Sequence, residues 1–242
     1  MLLSTKGIVI RTVKYAETSL ILEIFTEQKG MRSYIIGGVR TQKSKTKNTA
    51  LQPMSLVELV AYDRDDKSIN RIKEIKSAFI YTNMAFDFKR AAVGLFMIEV
   101  AKKAIKEASP NEHLCNYLIE SFKWLDQCDS FANLHLSFMI HLSYFLGFMP
   151  EPFDNSSSKQ FFFDLKEGQF SSEQPLNSYA LDPEYASLLN AIITTPYNMS
   201  HTIHLSRSQR QLLLHKIIVY YQLHLDYFTE PNTHHILKEV LE

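Results

Sequence analysis

The stretch "KGIVIRTVKY", residues 6–15, decides the fold class of the first third of the chain. Ile8 and Ile10 fall on one side of an extended backbone and Val9, Arg11, Val13 and Tyr15 on the other, and β-branched residues dominate, as in a half-buried strand. Four more such runs follow: "SLILEIFT" (19–26), "MRSYIIGG" (31–38), "MSLVELVAY" (54–62) and "INRIKEIKSAFIY" (69–81). The turns "EQKG", with Gly30 available for a positive φ, and "DRDDKS" separate two of the pairs. Five short strands with one long connection, between the third and fourth, match an OB-fold barrel; an SH3-like barrel or a swapped hairpin pair has similar text.

That long connection is chemically unusual. Arg40, Lys43, Lys45 and Lys47 fall within eight residues, and no carboxylate lies between Glu27 and Glu58. The chain is neutral as a whole, with 26 cationic and 26 anionic side chains, but residues 1–80 carry 14 Lys or Arg against 8 Asp or Glu and residues 81–242 carry 12 against 18. A basic β module joined to an acidic partner module is the charge pattern of a nucleic-acid-binding unit with a second unit of different task. Lysines and arginines on an extended segment track phosphates by displacing counterions. The expected contacts are Arg11, Lys14, Arg32, Arg40, Lys43, Lys45 and Lys47, with Arg71 and Lys73 extending the face and Tyr15 and Tyr34 as stacking platforms for bases.

From about residue 82 the apolar period changes from two to 3.6. The sequence predicts one helix over "FDFKRAAVGLFMIEVAKKAIKEA", a second introduced by Ser109, Pro110 and Glu112 as a capping box, and a third ending at Gly147. Asp182 and Pro183 open a fourth, and Ser206 with Gln209 caps a long fifth. Residues 150–181, serine-rich and interrupted by Phe161 to Phe163, read as a hairpin-like insertion. The domain division expected is therefore 1–81 for the barrel and 82–242 for the helical domain, an α+β, multidomain chain.

Other chemistry is not announced. Cys115 and Cys128 show no metal spacing and read as buried thiols of a reducing compartment. The histidine pairs, His201 with His204 and His234 with His235, lack a companion Cys or carboxylate at ligand spacing. No GxSxG, P-loop, HExxH or GxGxxG pattern occurs, so no catalytic residue and no metal ligand is assigned. No apolar run approaches the roughly 18 residues of a membrane span, and no leader pattern opens the chain, which together give a cytoplasmic reading without membrane contact.

As a set, the opening Gly7-Ile8-Val9-Ile10-Arg11, the link Tyr15-Ala16-Glu17-Thr18-Ser19, the turn from Phe25-Thr26 to Gly30, and Gly38-Val39-Arg40 with its following lysines resemble the RecO family of DNA repair and recombination mediators. "GFMP" at 147–150, "YYQLHL" at 220–225 and "LKEVL" at 237–241 extend the likeness over nearly the whole chain. The resemblance implies an OB-fold on a helical domain that binds single- and double-stranded DNA, anneals complementary strands and helps load RecA onto DNA coated by single-stranded DNA-binding protein. It implies RecR, the C-terminal tail of the single-stranded DNA-binding protein and in some organisms RecF as partners, at a bacterial nucleoid. Many members carry a four-cysteine zinc site after the "GFMP" segment; here no cysteine follows it, so a zinc-free insertion held by the Phe161 to Phe163 cluster is expected, and no cofactor. The competing class is a non-catalytic protein-interaction adaptor, whose basic barrel binds an acidic partner.

Overall fold

The computed structural model describes residues 2–39, 48–64, 68–106, 109–153 and 160–241. They form two compact units, residues 1–127 and 128–242. The change from strands to helices near residue 82 lies inside the first of these.

The first unit begins with a closed barrel of five strands: β1 (Leu2–Lys14), β2 (Leu20–Thr26), β3 (Gly30–Ile36), β4 (Leu56–Tyr62) and β5 (Ile69–Ser77). Around the barrel the order is β1-β2-β3-β5-β4, with β3 and β5 parallel and the other pairs antiparallel. That order and the 13-residue first strand are those of an OB-fold. β1 closes the barrel by serving two neighbours, pairing with β4 over Leu2 to Ile8 and with β2 over Gly7 to Lys14. Gly7 sits where the two ladders overlap, and a Cβ there would stand 2.5 Å from the Phe25 carbonyl oxygen, so only glycine permits this closure.

A register shift between Val9 and Arg11 places one extra residue, Ile10, in β1. A bulge of this kind inverts which face each later side chain takes. Val9 pairs with Ile24 and points into the barrel, whereas Arg11 pairs with Glu23 and points out, so the simple alternation of the sequence, with Val9 and Arg11 on one face, does not hold. The interior is filled by Val9, Leu22, Ile24, Tyr34, Ile36, Val57, Leu59, Ala61 and Ile72. Val39 and the 3₁₀ turn Asn48–Leu51, through Ala50 and Leu51, join that cluster. The basic connection is thus anchored in the core at both ends.

Two helices complete this unit, α1 (Phe88–Ala104) and α2 (Glu112–Gln127). Both pack on β1, and α2 also on β2, where Ile8, Ile10 and Phe25 are buried outside the interior cluster. The cap of α2 is Asn111, whose Oδ1 accepts from the Leu114 N–H at 2.9 Å, rather than the Ser109 box read from the sequence. The Asp126 carboxylate ties the barrel-to-helix link by accepting from the backbone N–H groups of Thr82, Asn83 and Met84 and from the Thr82 hydroxyl. Burial raises this carboxyl, but the hydrogen bonds outweigh it and its pKa lies below the ordinary value.

The second unit holds α3 (Leu134–Phe145), a three-stranded sheet of β6 (Phe162–Asp164), β7 (Gln169–Ser171) and β8 (Ala180–Leu181) in the order β7-β6-β8, then α4 (Pro183–Thr194), α5 (Arg207–His224) and α6 (His234–Val240). The helix ends follow their local chemistry. Gly147 at φ +84 ends α3 while Phe148 N–H donates to the Ser143 carbonyl, Asp182 caps α4 with Pro183 following, and Ser206 and Gln209 form a reciprocal capping box on α5. The sheet is the insertion expected from the sequence. Its Phe163 is fully buried, 4.7 Å from Phe170 and 5.8 Å from Tyr220 between ring centroids, and Phe153 packs on Phe161 and Phe170. Residues 150–181 contain neither Cys nor His, so this segment does not fit a tetrahedral thiolate site; the rings of Phe163, Phe170 and Tyr220 pack the hairpin on α5.

Candidate nucleic-acid interface

Cross-strand register assembles on the barrel's outer surface a row that no local reading of the sequence joins. Val13 on β1 lies opposite Ile21 on β2, Ile21 opposite Ile35 on β3, Ile35 beside Arg71 on β5, and Arg71 opposite Tyr62 on β4. Because the row crosses all five strands of the closed barrel, it winds round the wall, four strand spacings of about 4.8 Å making a path of about 19 Å. Its three aliphatic members are half-buried, while Tyr62 is 47% exposed. A second row runs alongside, from Arg11 to Glu23, Ser33 and Ile69. At the β4–β5 end, Tyr62, Arg64, Ile69, Arg71 and Lys73 line a cleft of about 610 Å³. At the opposite end Lys14 and Tyr15 are exposed, Tyr15 to 63%.

The connection Tyr15 to Ser19 is closed by Tyr15 N–H donating to the Ser19 carbonyl, and Val39 N–H donates to the Thr18 carbonyl at 3.1 Å. The chain therefore enters the basic segment beside Lys14 and Tyr15. Arg40, Lys43, Lys45 and Lys47 themselves lie outside the described residues.

The other sequence-derived contacts separate into two groups. Arg11 faces outward but is already engaged, its Nη1 standing 3.2 Å from Glu23 Oε1. Exposed pairs of this kind are worth about 0–1 kcal/mol, so the guanidinium can exchange the carboxylate for a phosphate at little cost. Arg32 does not share that face. It has the parity of Tyr34 and Ile36, which point into the barrel, and it is half-buried. Tyr34 is corrected outright as a stacking platform, because its ring is wholly buried among the interior residues. Burial, assisted by the Asp63 carboxylate, pushes its phenol up to about 12, so it stays neutral.

Asp63, the one described acid at this end of the β4–β5 connection, does not oppose an anion in the cleft. It is buried, 3.2 Å from Lys29 Nζ, and accepts from Asn70 Nδ2 at 2.9 Å. Its charge is consumed inside the barrel end, while Arg64, Arg71 and Lys73 remain exposed outside. Sequence reasoning missed Tyr62, Arg64 and Ile69 as site residues. The available signal was the apolar run "LVELVAY" ending in a tyrosine, but only the pairing of Tyr62 with Arg71 gives it a role. Among the described residues no group of three His, Cys, Asp or Glu side chains is placed to hold a metal ion, and no helix is long and apolar enough to cross a membrane.

Comparison with known proteins matches this architecture. The model of the recombination protein O N-terminal domain covers residues 1–81, and that of the recombination protein O C-terminal domain covers residues 85–229. The DNA repair protein RecO of Phocaeicola vulgatus is 36% identical over 241 residues, 99% of both chains. That of Bacteroides fragilis is 36% identical over 244 residues and the whole of both chains, and that of Flavobacterium psychrophilum 33% identical over 241 residues and 99% of both. A closed OB-type barrel followed by helices, matched end to end by these relatives and by both domain models, places the chain in the RecO family of DNA repair proteins.

Proposed function

We propose that this chain is a non-catalytic recombination mediator that binds single- and double-stranded DNA, anneals complementary strands and helps load RecA onto DNA coated by single-stranded DNA-binding protein. The observation that carries this reading is the outward row from Val13 to Tyr62, with exposed Tyr15 and Tyr62 toward its ends and Lys14, Arg64, Arg71 and Lys73 beside it. Apolar and aromatic surface accepts the faces of unstacked bases, and the cations follow the phosphates. Annealing asks only that the repulsion between two strands be screened while their bases stay available, which a basic surface does without nucleotide, metal or any other cofactor. RecR, the tail of the single-stranded DNA-binding protein and RecF are the expected partners, and a bacterial nucleoid the expected place of work.

Fluorescence anisotropy of a labelled single-stranded oligonucleotide, titrated across salt, tests the reading. Neutralising about six phosphates gives a log–log salt slope of roughly −4. Replacing Lys43, Lys45 and Lys47 together with Ala should flatten that slope by about 2. No binding at low salt would instead favour the adaptor reading, in which the basic barrel meets an acidic protein.

A further inference from the structure

The second unit contains a cavity of 410 Å³ that the DNA-binding reading does not use. Its volume lies in the range of small-molecule sites, about 300–1,000 Å³. α5 supplies Arg207, Ser208, Arg210 and His215, and α6 supplies His234 and Lys238; Leu214 and Leu237 form apolar wall, and among the described residues no carboxylate lines it. α6 lies beyond residue 229, where the match to the family's C-terminal domain ends.

Arg210 is the informative member. Its guanidinium is half-buried, with Nε donating to Asn133 Oδ1 at 2.9 Å and Nη2 to the Leu205 carbonyl at 3.4 Å. Both acceptors are neutral. The fully buried His135 stands near enough for the Arg210 charge to act on it, and burial together with that charge pushes the imidazole down to about 3, so it is neutral too. Of the wall's histidines, His234 already faces the Glu230 carboxylate at 3.3 Å, whereas the half-buried Arg210 guanidinium meets neutral acceptors and shares the cavity with the exposed cations Arg207 and Lys238, an arrangement that favours an anion. A carboxylate would answer one guanidinium. A phosphate monoester, with up to two charges and three terminal oxygens, can answer several donors at once, while the leucines accept a sugar or base.

We infer that the cavity between α5 and α6 is a phosphate-monoester site, taking the phosphate of a free nucleotide or of a 5′-phosphorylated strand end. Calorimetry on the full chain tests it with three probes: deoxyadenosine monophosphate, inorganic phosphate and deoxyadenosine. The monophosphate and phosphate should bind saturably and the nucleoside should not. Arg207→Gln and Lys238→Gln, at exposed positions chosen because Arg210→Gln risks the Asn133 hydrogen bond, should each weaken monophosphate binding about tenfold, the equivalent of about 1.4 kcal/mol. Matched oligonucleotides with a 5′-phosphate or a 5′-hydroxyl separate the sources. A preference for the phosphorylated strand that Lys238→Gln removes identifies strand ends, and equal affinity with retained monophosphate binding identifies free nucleotides. Absence of binding by both phosphate probes, or monophosphate binding that the Arg207→Gln/Lys238→Gln double variant leaves intact, overturns the inference.

Discussion

Aromatic side chains serve opposite ends in the two β structures of this protein. In the insertion hairpin Phe163 is wholly buried and the rings of Phe153, Phe161, Phe170 and Tyr220 are engaged with one another. On the barrel Tyr15 and Tyr62 stand out into solvent beside cations and an aliphatic row. Both regions read as aromatic-rich strands interrupted by polar residues. The difference is whether the rings find partners within the fold; in the proposed DNA-binding reading, the exposed barrel tyrosines are the ones that meet bases.

The largest effect expected from this contrast is in the hairpin. Phe163→Ala removes a fully buried ring and should lower unfolding stability by about 3–5 kcal/mol in urea denaturation, while folded protein keeps its DNA affinity. Should the variant be as stable as the parent, the rings do not hold the insertion. Tyr62→Ala is the mirror experiment. Stability should stay within about 0.5 kcal/mol, and single-stranded DNA binding should weaken by about 1–3 kcal/mol in anisotropy, at a salt slope unchanged because no cation is lost. A loss of stability without a loss of binding would make Tyr62 a packing residue and break the contrast.

Gly168 offers a smaller test within the hairpin. It takes φ +69, and a Cβ there would lie 3.1 Å from the Tyr220 hydroxyl oxygen, so Gly168→Ala should cost about 1–2 kcal/mol of stability and again spare DNA binding. On the barrel, Arg71→Gln with Lys73→Gln should leave stability nearly unchanged and reduce the single-strand salt slope by about 1.4, the release of two counterions.

How much of this contrast the sequence carried depends on how local its causes are. Strand number, the positive φ at Gly30, the end of α3 at Gly147, the Asp182 and Ser206 caps and the aromatic hairpin were all legible, because each rests on residues within a few positions of one another. The face assignments on the barrel were not. Ile10 in the bulge turns Arg11 outward after Val9 has turned inward, and the parity shared with Tyr34 and Ile36 sets Arg32 apart from Arg11. Tyr34 and Tyr62 are both strand tyrosines near charged residues, and only the register with distant strands sends one into the core and the other to the surface. The packing of α1 and α2 on β1 is likewise a long-range fact, visible in Ile8 and Ile10 only once both are found buried.

The finest test concerns the acid on the open face. Glu23 is the partner of Arg11 and, by register, sits between Arg11 and Ser33 in the row beside the aliphatic one. If this face carries DNA, a carboxylate there both repels phosphate and occupies a guanidinium that would otherwise meet one. Glu23→Gln removes both obstacles and should strengthen single-strand binding at low salt, with the slope steeper by about 0.7 as Arg11 gains a phosphate. Since the exposed pair contributes only about 0–1 kcal/mol, stability should hardly move and the gain in affinity should stay within about fivefold. Arg11→Gln leaves Glu23 unpaired on the same face and should weaken binding by a similar factor. The double variant should return close to the parent, since it removes the attraction and the repulsion together. A Glu23→Gln variant that binds no better than the parent would mean that the strand passes elsewhere, and that the aliphatic row from Val13 to Ile35 is covered by something other than bases.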